Sequence, residues 1–221
     1  MNKIYAVIGL GRFGGSICKT LSKEGYEVLA IDQSEDIVNE YMNIASHAVI
    51  ADATDKKTLI ALGFRNVDHA IVAIGDDIQS SLLATVILKE IGVKKVTTKA
   101  ISDYHEVILN RIGADIVVQP ERDMGKRVAN KIISSSVLDY IELSDEYSVV
   151  EIVIGREMVG QSLDDLDVRS NFGINILAIK RDKEINISPE PDKLLTEGDV
   201  MVLVGADKDI KRFRNHMLDN D

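Results

Sequence analysis

The sequence predicts an α/β fold in which a doubly wound parallel sheet is followed by a smaller α+β domain. Six short apolar runs alternate with helical segments over about the first 135 residues, and this alternation is typical of βαβ units with helices on both faces of a sheet. Beyond that point, strand-like runs separated by glycine and proline predominate, and one helix closes the chain. We therefore predict a first domain over 1–135 and a second over 136–221.

The elements of the first domain follow from apolar runs and their caps. We predict strands at 4–8, 28–31, 48–50, 69–74, 95–99 and 115–118. Helices are predicted at 13–23, from 35 onward, at 55–62, 78–91 and 104–112. The second helix begins after Ser34 with Glu35 and Asp36 in its first turn, where the helix dipole favours acids. In the second domain, strand-like runs at 138–143, 148–154, 174–180 and 199–204 precede a helix at 207–217.

The first strand ends in a glycine-rich turn. Gly9, Gly11 and Gly14 have the spacing G-x-G-x-x-G between a strand and a helix. The first glycine permits a sharp turn, the second leaves room for a phosphate beside the backbone, and the third lets the helix pack on its strand. The helix then offers free N–H groups and the positive end of its dipole to the phosphate. We predict that this Rossmann-like loop, including Phe13, binds a nucleotide.

Further candidate ligands lie at the carboxyl ends of the strands, where the crevice of such a sheet is expected. Asp32 follows Gly14 by 18 residues, close to the spacing of a ribose-binding carboxylate. The alternative is that Asp32 only caps the next helix. Asp52 either binds an adenine or ribose edge or caps the third helix. The other residues predicted to line the crevice are Ala53, Thr54, Ile74, Gly75, Asp76 and Lys99.

The composition excludes several functional classes. The net charge of −10 argues against a nucleic-acid partner, which requires a basic face. The single cysteine, Cys18, excludes an intrachain disulfide and a cysteine-rich zinc site. No apolar stretch approaches the roughly 20 residues of a membrane-spanning helix, and the run after Lys3 is too short for a signal peptide. We expect a cytoplasmic protein.

No catalytic motif accompanies the nucleotide loop. The histidines, at 47, 69, 105 and 216, are not flanked by partner carboxylates in a motif, and neither G-x-S-x-G nor H-E-x-x-H occurs. A nucleotide site without chemistry indicates a sensor rather than an enzyme. The alternatives are an NAD(H)-dependent oxidoreductase without an evident acid–base residue, an NADH-sensing repressor without a basic face, and a scaffold with a vestigial nucleotide site.

Three further features of the sequence have two interpretations each. Arg12 either reaches a terminal phosphate, in its own subunit or a neighbouring one, or is a solvated surface residue. Glu121 is either a ligand of a divalent cation or, as the sequence alone favours, an acid at a helix N-terminus. An apolar stripe covers its own sheet by default, and otherwise packs on another subunit; it consists of Met124, Val128, Ile132 and Val137.

Several motifs together resemble the RCK (KTN) family, whose members regulate potassium channels and transporters. They are the run V-I-G-L-G-R-F-G at 7–14, A-I-D at 30–32, A-D-A-T-D at 51–55 and V-Q-P-E-R-D-M-G at 118–125. The resemblance covers the whole chain, with a TrkA-C type second domain, and is greatest to the cytosolic regulatory subunits of bacterial Ktr potassium uptake systems. One departure is Ala51, where the family often has glycine; its methyl group would narrow an adenosine pocket.

The resemblance implies a ring of eight subunits, assembled from dimers, that docks on a membrane-embedded potassium channel or transporter. It implies activation by ATP and inactivation by ADP, with NAD(H) as a further ligand. Arg12 would contact the γ-phosphate bound in the adjacent subunit. Glu121 would hold a divalent cation, Mg²⁺ or Ca²⁺, at the subunit interface.

The resemblance also implies that the second domains pair and bind cyclic di-AMP, which inhibits the transporter. The matching residues are Asp167, Arg169, Asn175, Ile176 and Pro191. Arg169 would meet a phosphate, while Asn175 and Ile176 would face adenine. The alternative for Arg169 is a surface salt bridge with Asp165 or Asp167.

Overall fold

The computed structural model describes residues 3–133, 137–144 and 146–217. The chain divides into two compact units, Met1–Arg122 and Asp123–Asp221, and each is described by itself. The predicted domain boundary after residue 135 falls later in the chain than this division. Residues 134–136, around this predicted boundary, lie outside the described residues.

The first unit contains a six-stranded parallel sheet. In chain order its strands are β1 (Ile4–Ile8), β2 (Glu27–Asp32), β3 (His47–Ile50), β4 (His69–Val72), β5 (Lys95–Lys99) and β6 (Ile116–Val118). Their spatial order is β3-β2-β1-β4-β5-β6, and neighbouring strands run parallel. This order confirms the predicted Rossmann-like doubly wound sheet. It reverses between β1 and β4, so the expected ligand crevice lies at the carboxyl ends of these two strands.

Helices follow the strands, and the first five lie where the sequence predicts them. They are α1 (Arg12–Lys23), α2 (Glu35–Tyr41), α3 (Lys56–Ala61), α4 (Ile78–Glu90), α5 (Asp103–Arg111) and α6 (Pro120–Ile133). The side chains of Ser34, Asp55, Asp77 and Ser102 cap α2, α3, α4 and α5. Each cap accepts a hydrogen bond from an N–H group that the first helical turn leaves without a partner. These caps fix where the helices begin beside the crevice.

The central strands β1, β2 and β4 of this sheet are buried on both faces. Ala6 and Ile8 of β1 pack in one cluster with Phe64, while Val7 packs in another with Cys18. A parallel sheet covered by helices on both faces requires apolar residues at consecutive positions of its strands. The uninterrupted apolar run of β1 is therefore a consequence of the two-sided burial.

Apolar side chains of α6 are exposed. The exposed fractions of Met124, Val128 and Ile132 are 53%, 48% and 77%, and residues from Asp123 onward belong to the second unit. Val137, the fourth residue of the predicted stripe, begins a strand. The choice between the two interpretations of the stripe stays a prediction.

The second unit contains a five-stranded antiparallel sheet. Its strands are β7 (Val137–Ser144), β8 (Tyr147–Val153), β9 (Asn175–Arg181), β10 (Glu184–Asn186) and β11 (Val200–Ala206), in the spatial order β10-β9-β11-β8-β7. Its helices are α7 (Leu163–Leu166), α8 (Val168–Phe172) and α9 (Asp207–Met217). The α+β class of the second domain is confirmed. The sequence missed β10, α7 and α8, because elements of three to five residues carry no readable periodicity.

One face of this sheet packs against α8 and α9. The rings of Phe172 and Phe213 meet edge to face, with centroids 5.2 Å apart, over Ile152, Met201 and Leu203 of the sheet.

None of the described helices is both long enough and apolar enough to span a membrane.

Candidate functional site

The glycine loop between β1 and α1 has the geometry that its motif predicts. Gly9 has a φ of +87°, a conformation that favours glycine. A Cβ on Gly14 would lie 1.9 Å from the carbonyl oxygen of Gly9, so only glycine lets α1 approach the loop this closely. A Cβ on Gly11, by contrast, would meet no described atom within 4 Å. The open space beside Gly11 leaves room for a phosphate against the backbone.

The Asp32 carboxylate joins the end of β2 to this loop. Its Oδ2 accepts a hydrogen bond from the Leu10 N–H at 2.7 Å, and its Oδ1 accepts one from the Ser34 N–H at 3.0 Å. Ser34, not Asp32, caps α2, so the alternative interpretation of Asp32 is wrong. Carboxylate oxygens have further lone pairs, and Asp32 can therefore still accept hydrogen bonds from ribose hydroxyls.

Asp52 supports a tight turn at the carboxyl end of β3. Its Oδ1 accepts hydrogen bonds from the Thr54 hydroxyl at 2.7 Å and from the Thr54 N–H at 2.8 Å. The hydrogen bond from the Thr54 hydroxyl is the largest cause of a pKa of the Asp52 carboxyl below its ordinary value, and the bond from the Thr54 N–H is the next largest. The carboxyl group is therefore ionised at neutral pH. Asp55 caps α3, so the interpretation of Asp52 as the cap is wrong.

The segment between β4 and α4 forms a third wall. β4 ends at Val72, two residues earlier than predicted, and the chain continues to Asp77, whose side chain caps α4. The Asp77 carboxylate accepts hydrogen bonds from the Ser80 hydroxyl at 2.5 Å and from the Ser80 N–H at 3.2 Å. These two bonds lower the pKa of Asp77, which places another negative charge at the crevice.

These turns flank a cleft of about 310 Å³, within the size range of small-molecule sites. It is lined by Ile8, Gly9, Gly11, Ile31, Asp32, Gln33, Ile37, Ala51, Asp52, Ala53, Thr54, Ala73, Ile74, Gly75, Asp76, Asp77 and Ser80. Four of these residues are aspartates, and none is Lys or Arg. Phosphates in the cleft would therefore depend on backbone N–H groups and on cations just outside its lining.

Lys99 and Glu121 form an ion pair beside the cleft. Lys99 ends β5, and its Nζ lies 2.6 Å from Oε1 of Glu121 near the start of α6. The Lys99 side chain is 12% exposed and that of Glu121 is 70% exposed. A Cβ on Gly75, in the cleft wall, would lie 3.3 Å from the Lys99 Nζ. The Lys99 bond is the largest cause of a lowered pKa of Glu121, to which the charge of Arg12 also contributes.

The predicted nucleotide residues divide into two groups. Those that line the cleft are Gly9, Gly11, Asp32, Asp52, Ala53, Thr54, Ile74 and Gly75. Those outside the lining are Arg12, Phe13, Gly14, Lys99 and Glu121. Gly14 is needed for packing rather than contact, and Arg12 is an exposed residue in the first turn of α1.

Sequence reasoning missed several lining residues, including Gln33, Ala73, Asp77 and Ser80. Gln33 and Ala73 directly follow strands, Asp77 caps α4, and Ser80 lies in its first turn. The signal that could have found them is therefore the position of the strand ends, not a motif.

The residues present do not by themselves fit a metal centre. No group of three His, Cys, Asp or Glu side chains within 3–133, 137–144 and 146–217 could hold a metal ion. The resemblance implies a cation at Glu121, but the observed ionic partner of this carboxylate is the Lys99 ammonium. A cation there would need oxygen ligands from outside the described chain.

The histidines do not line the cleft. His69, at the amino end of β4, lies with its Nε2 2.7 Å from the Thr97 hydroxyl oxygen. His105 is buried in α5, and burial lowers its pKa. The described part of the chain therefore brings no imidazole to the nucleotide cleft as a general acid or base.

The residues predicted for cyclic di-AMP come from three neighbouring segments of the second unit. Asp167 lies between α7 and α8, where it caps α8 through the Ser170 N–H, and the exposed Arg169 follows in that helix. Asn175 and Ile176 begin β9. The Pro191 carbonyl accepts a hydrogen bond from the N–H of Asp164 at 2.9 Å, which ties its loop to α7.

Arg169 forms no ion pair with the predicted alternatives. The Asp165 carboxylate accepts hydrogen bonds from the N–H and hydroxyl of Ser162, and Asp167 accepts its bond from Ser170. Among the described residues, Arg169 lies within ion-pair distance of neither aspartate. The salt-bridge interpretation is wrong for this conformation, and the guanidinium is available to a ligand anion.

Residues 5–120 match the TrkA-N domain and residues 148–218 match the TrkA-C domain. Ktr system potassium uptake protein C of Bacillus subtilis (strain 168) is 57% identical over 218 residues, which cover 99% of each chain. Ktr system potassium uptake protein A of the same organism is 50% identical over 214 residues, covering 97% of this chain and 96% of the relative.

Solved structures share the fold. The GsuK channel bound to NAD has a TM-score of 0.54 at 23% identity, and the GsuK RCK domain has a TM-score of 0.53 at 22% identity. The matches cover 98% and 97% of this chain, but the chain spans only 38% and 46% of those two chains. At this level of identity the likeness concerns the fold alone.

Proposed function

Because this chain belongs to the RCK family of TrkA-N/TrkA-C proteins and to its Ktr potassium uptake branch, we propose that it is a nucleotide-sensing regulatory subunit of a membrane-embedded potassium channel or transporter. ATP in the first domain activates the transporter, ADP inactivates it, and cyclic di-AMP at the second domain inhibits it. The subunit acts from the cytoplasm at the inner face of the membrane, through its transporter partner, and has no catalytic activity.

The preformed cleft carries this proposal. It combines an open phosphate position at Gly11 with a ribose acceptor at Asp32, and no histidine lines it. Ligand binding without turnover can regulate the transporter only if the ligands favour different conformations of the protein. ATP and ADP have the same base and differ by one phosphate, so the protein must distinguish them by the presence of the γ-phosphate.

Arg12 is the residue proposed to count them. It is exposed on the first turn of α1, next to the open space at Gly11 but outside the cleft lining. An exposed guanidinium can bind the γ-phosphate held by a neighbouring subunit. ATP would then join two subunits where ADP cannot. A divalent cation at Glu121 belongs to the proposal only with further oxygens from the phosphates and from a neighbouring subunit.

Exposed apolar side chains support assembly into a homo-oligomeric ring, for which we propose eight subunits built from dimers. On α5, Tyr104 is 86% exposed, together with Val107 and Ile108. On α6, Met124, Val128 and Ile132 are also exposed. Apolar surface of this kind is typical of protein interfaces, and self-association is the arrangement in which Arg12 meets a second nucleotide.

The second domain is proposed to bind cyclic di-AMP in a cleft shared by two copies. Arg169 is free of carboxylate partners among the described residues and is the proposed phosphate ligand. Asn175 is exposed and Ile176 is half-buried at the start of β9, where an adenine could contact both. Asp167 and Pro191 complete the proposed set.

Calorimetric titration of the full chain with ATP, ADP and NADH, each with Mg²⁺, with Ca²⁺ and with neither, tests the proposal. We expect ATP and ADP to bind, and Arg12→Ala to remove the preference for ATP over ADP. Arg65→Ala is the matched control, because Arg65 is an exposed arginine near the amino end of β4, away from the cleft. An unchanged preference in Arg12→Ala would contradict the phosphate-counting role.

NAD(H) binding is the second candidate function, either as an oxidoreductase or as an NADH sensor. The observation that favours it is Asp32, because a carboxylate at this position suits the free ribose hydroxyls of NAD. The same titration separates the two. Binding of NADH without any response to ATP or ADP would replace the proposal with this one.

A further inference from the structure

The charge of the cleft raises a question that the glycine loop does not answer. Four aspartates line it, without Lys or Arg, yet a nucleoside di- or triphosphate adds several negative charges. A cation must lie close to the phosphates, because like charges in a partly desolvated cleft repel strongly. Among the described residues, Lys99 places its ammonium group beside the lining, 3.3 Å from the ideal Cβ position of Gly75.

We propose that Lys99 is a phosphate-binding residue of the cleft and that Glu121 is its resting counter-ion, so that nucleotide phosphate and Glu121 compete for one ammonium group. This inference deepens the proposed function and depends on nucleotide binding in the cleft. It assigns to Glu121 a role that needs no metal ion.

The sheet order places Lys99 at the phosphate side of the cleft. β4 lies between β1 and β5, so the end of β5 adjoins the segment that follows β4. Gly75 lies in that segment, and the place where its side chain would project is occupied by the Lys99 Nζ, 3.3 Å from the ideal Cβ position. A larger residue at 75 would crowd the ammonium, whereas glycine lets it lie against the wall of the cleft.

The unequal burial of the two partners shows which one can leave. The Lys99 side chain is 12% exposed, so its charge has lost most of its water and needs a close anion. The Glu121 side chain is 70% exposed, so its carboxylate can return to water at little cost. Phosphate oxygens are strong acceptors for an ammonium group. A bound nucleotide therefore satisfies Lys99, and Glu121 is released.

Release of Glu121 would make the first turn of α6 sensitive to whether a nucleotide is bound in the cleft. Glu121 is the second residue of this helix, which runs from Pro120 to Ile133. Loss of the bond to Lys99 frees the first turn of α6 from the end of β5. The ion pair thus links the charge state of the cleft to a helix that continues beyond the first unit.

The test is a thermodynamic cycle on the full chain in the presence of a metal chelator, with ADP as the ligand and calorimetry as the readout. Lys99→Met should weaken ADP binding about tenfold, as expected for loss of a charge-assisted hydrogen bond. Glu121→Gln should strengthen it, because the competitor is gone. The double variant should bind like Lys99→Met, since Glu121 acts only through Lys99.

Two controls keep the result specific. Lys94→Met breaks the ion pair between Lys94 and Asp68, 2.7 Å long, at the opposite end of the strands, and should leave ADP affinity unchanged. Lys99→Arg retains the charge and should bind ADP more tightly than Lys99→Met.

Several results would overturn the inference. Weaker ADP binding in Glu121→Gln would mean that Glu121 positions Lys99 rather than competes for it. This outcome is readable even if Lys99→Met does not fold, because Glu121 is exposed. Normal binding in Lys99→Met, while the unaltered chain binds ADP, would reject the inference and leave the proposed function intact. Failure of the unaltered chain to bind ADP or ATP would overturn both.

Discussion

The two candidate ligand regions differ in how complete they are within one chain. In the first unit, hydrogen bonds from the Leu10 N–H to Asp32 and from the Thr54 N–H to Asp52 hold the walls of a cleft before any ligand arrives. In the second unit, the candidate residues lie mostly at the surface, and Arg169 pairs with neither Asp165 nor Asp167. This difference supports the proposal that the first region recognises a ligand within one chain, whereas the second would provide one side of a shared site.

The architecture explains this difference. In a parallel doubly wound sheet, the carboxyl ends of neighbouring strands meet at one edge, so loops from remote parts of the chain enclose a crevice. In the second unit, the sheet is antiparallel, and α8 and α9 pack on one of its faces. The space between the sheet and these helices is therefore filled by apolar side chains. The ligand candidates there come from short turns and a strand terminus. Variants of the two regions should therefore fail in different ways.

The largest expected effect is that of Gly14→Ala. The new Cβ would lie 1.9 Å from the Gly9 carbonyl oxygen, so α1 must move away from the loop. We expect a loss of about 3 kcal/mol in the free energy of unfolding, as for overpacked sites, together with loss of nucleotide binding. Urea unfolding measures the first and calorimetry the second. Unchanged stability would show that the cleft is less rigid than the comparison requires.

Asp199→Asn should have the next largest effect and should act on the second unit. The buried Asp199 carboxylate receives two hydrogen bonds from the Arg181 guanidinium, at 2.7 and 2.6 Å, and one from the Thr196 N–H. We expect a loss of about 2 kcal/mol in the free energy of unfolding. Nucleotide binding in the first unit should persist, and its loss would show that the two units are not independent.

The same carboxylate predicts a pH dependence. The Arg181 bonds are the largest cause of a pKa of Asp199 below its ordinary value of 3.8. A depressed native pKa adds stability above the unfolded-state pKa, and this is lost as the pH falls through the native value. We expect the free energy of unfolding, measured with urea, to fall less in Asp199→Asn than in the unaltered chain as the pH is lowered below 4. Parallel losses in the two proteins would contradict the assignment.

Gly11→Ala should separate binding from folding. A Cβ there meets no described atom within 4 Å, so the free energy of unfolding should change little. It would occupy the space proposed for a phosphate, and nucleotide affinity should fall about tenfold, a change of about 1.4 kcal/mol. Paired with Gly14→Ala, this variant tests whether the cleft is built around its ligand. Full affinity in Gly11→Ala would place the phosphates elsewhere.

Arg169→Ala should have the smallest effect. Because Arg169 pairs with no carboxylate among the described residues, its removal should leave stability unchanged, whereas affinity for cyclic di-AMP should fall about fivefold, equivalent to about 1 kcal/mol. Arg156→Ala, at another exposed arginine of the same unit, is the control. Equal affinities of the two variants would remove Arg169 from the proposed site.

The sequence by itself determined the features that depend on local geometry. The glycine spacing, the end of β2 at Asp32 and the start of α2 after Ser34 were all readable, because backbone sterics and unsatisfied N–H groups act over three or four residues. The parallel sheet was also readable, since burial on both faces requires continuous apolar strands.

Only the tertiary structure decided which distant groups meet. The choice of Asp55 over Asp52 as the cap of α3 and the exposure of the α6 stripe could not be read from spacing. The pairing of Lys99 with Glu121 beside Gly75 depends on β5 lying next to β4, which joins segments far apart in the chain. Local propensities do not encode such contacts, because the packing of whole strands and helices selects them.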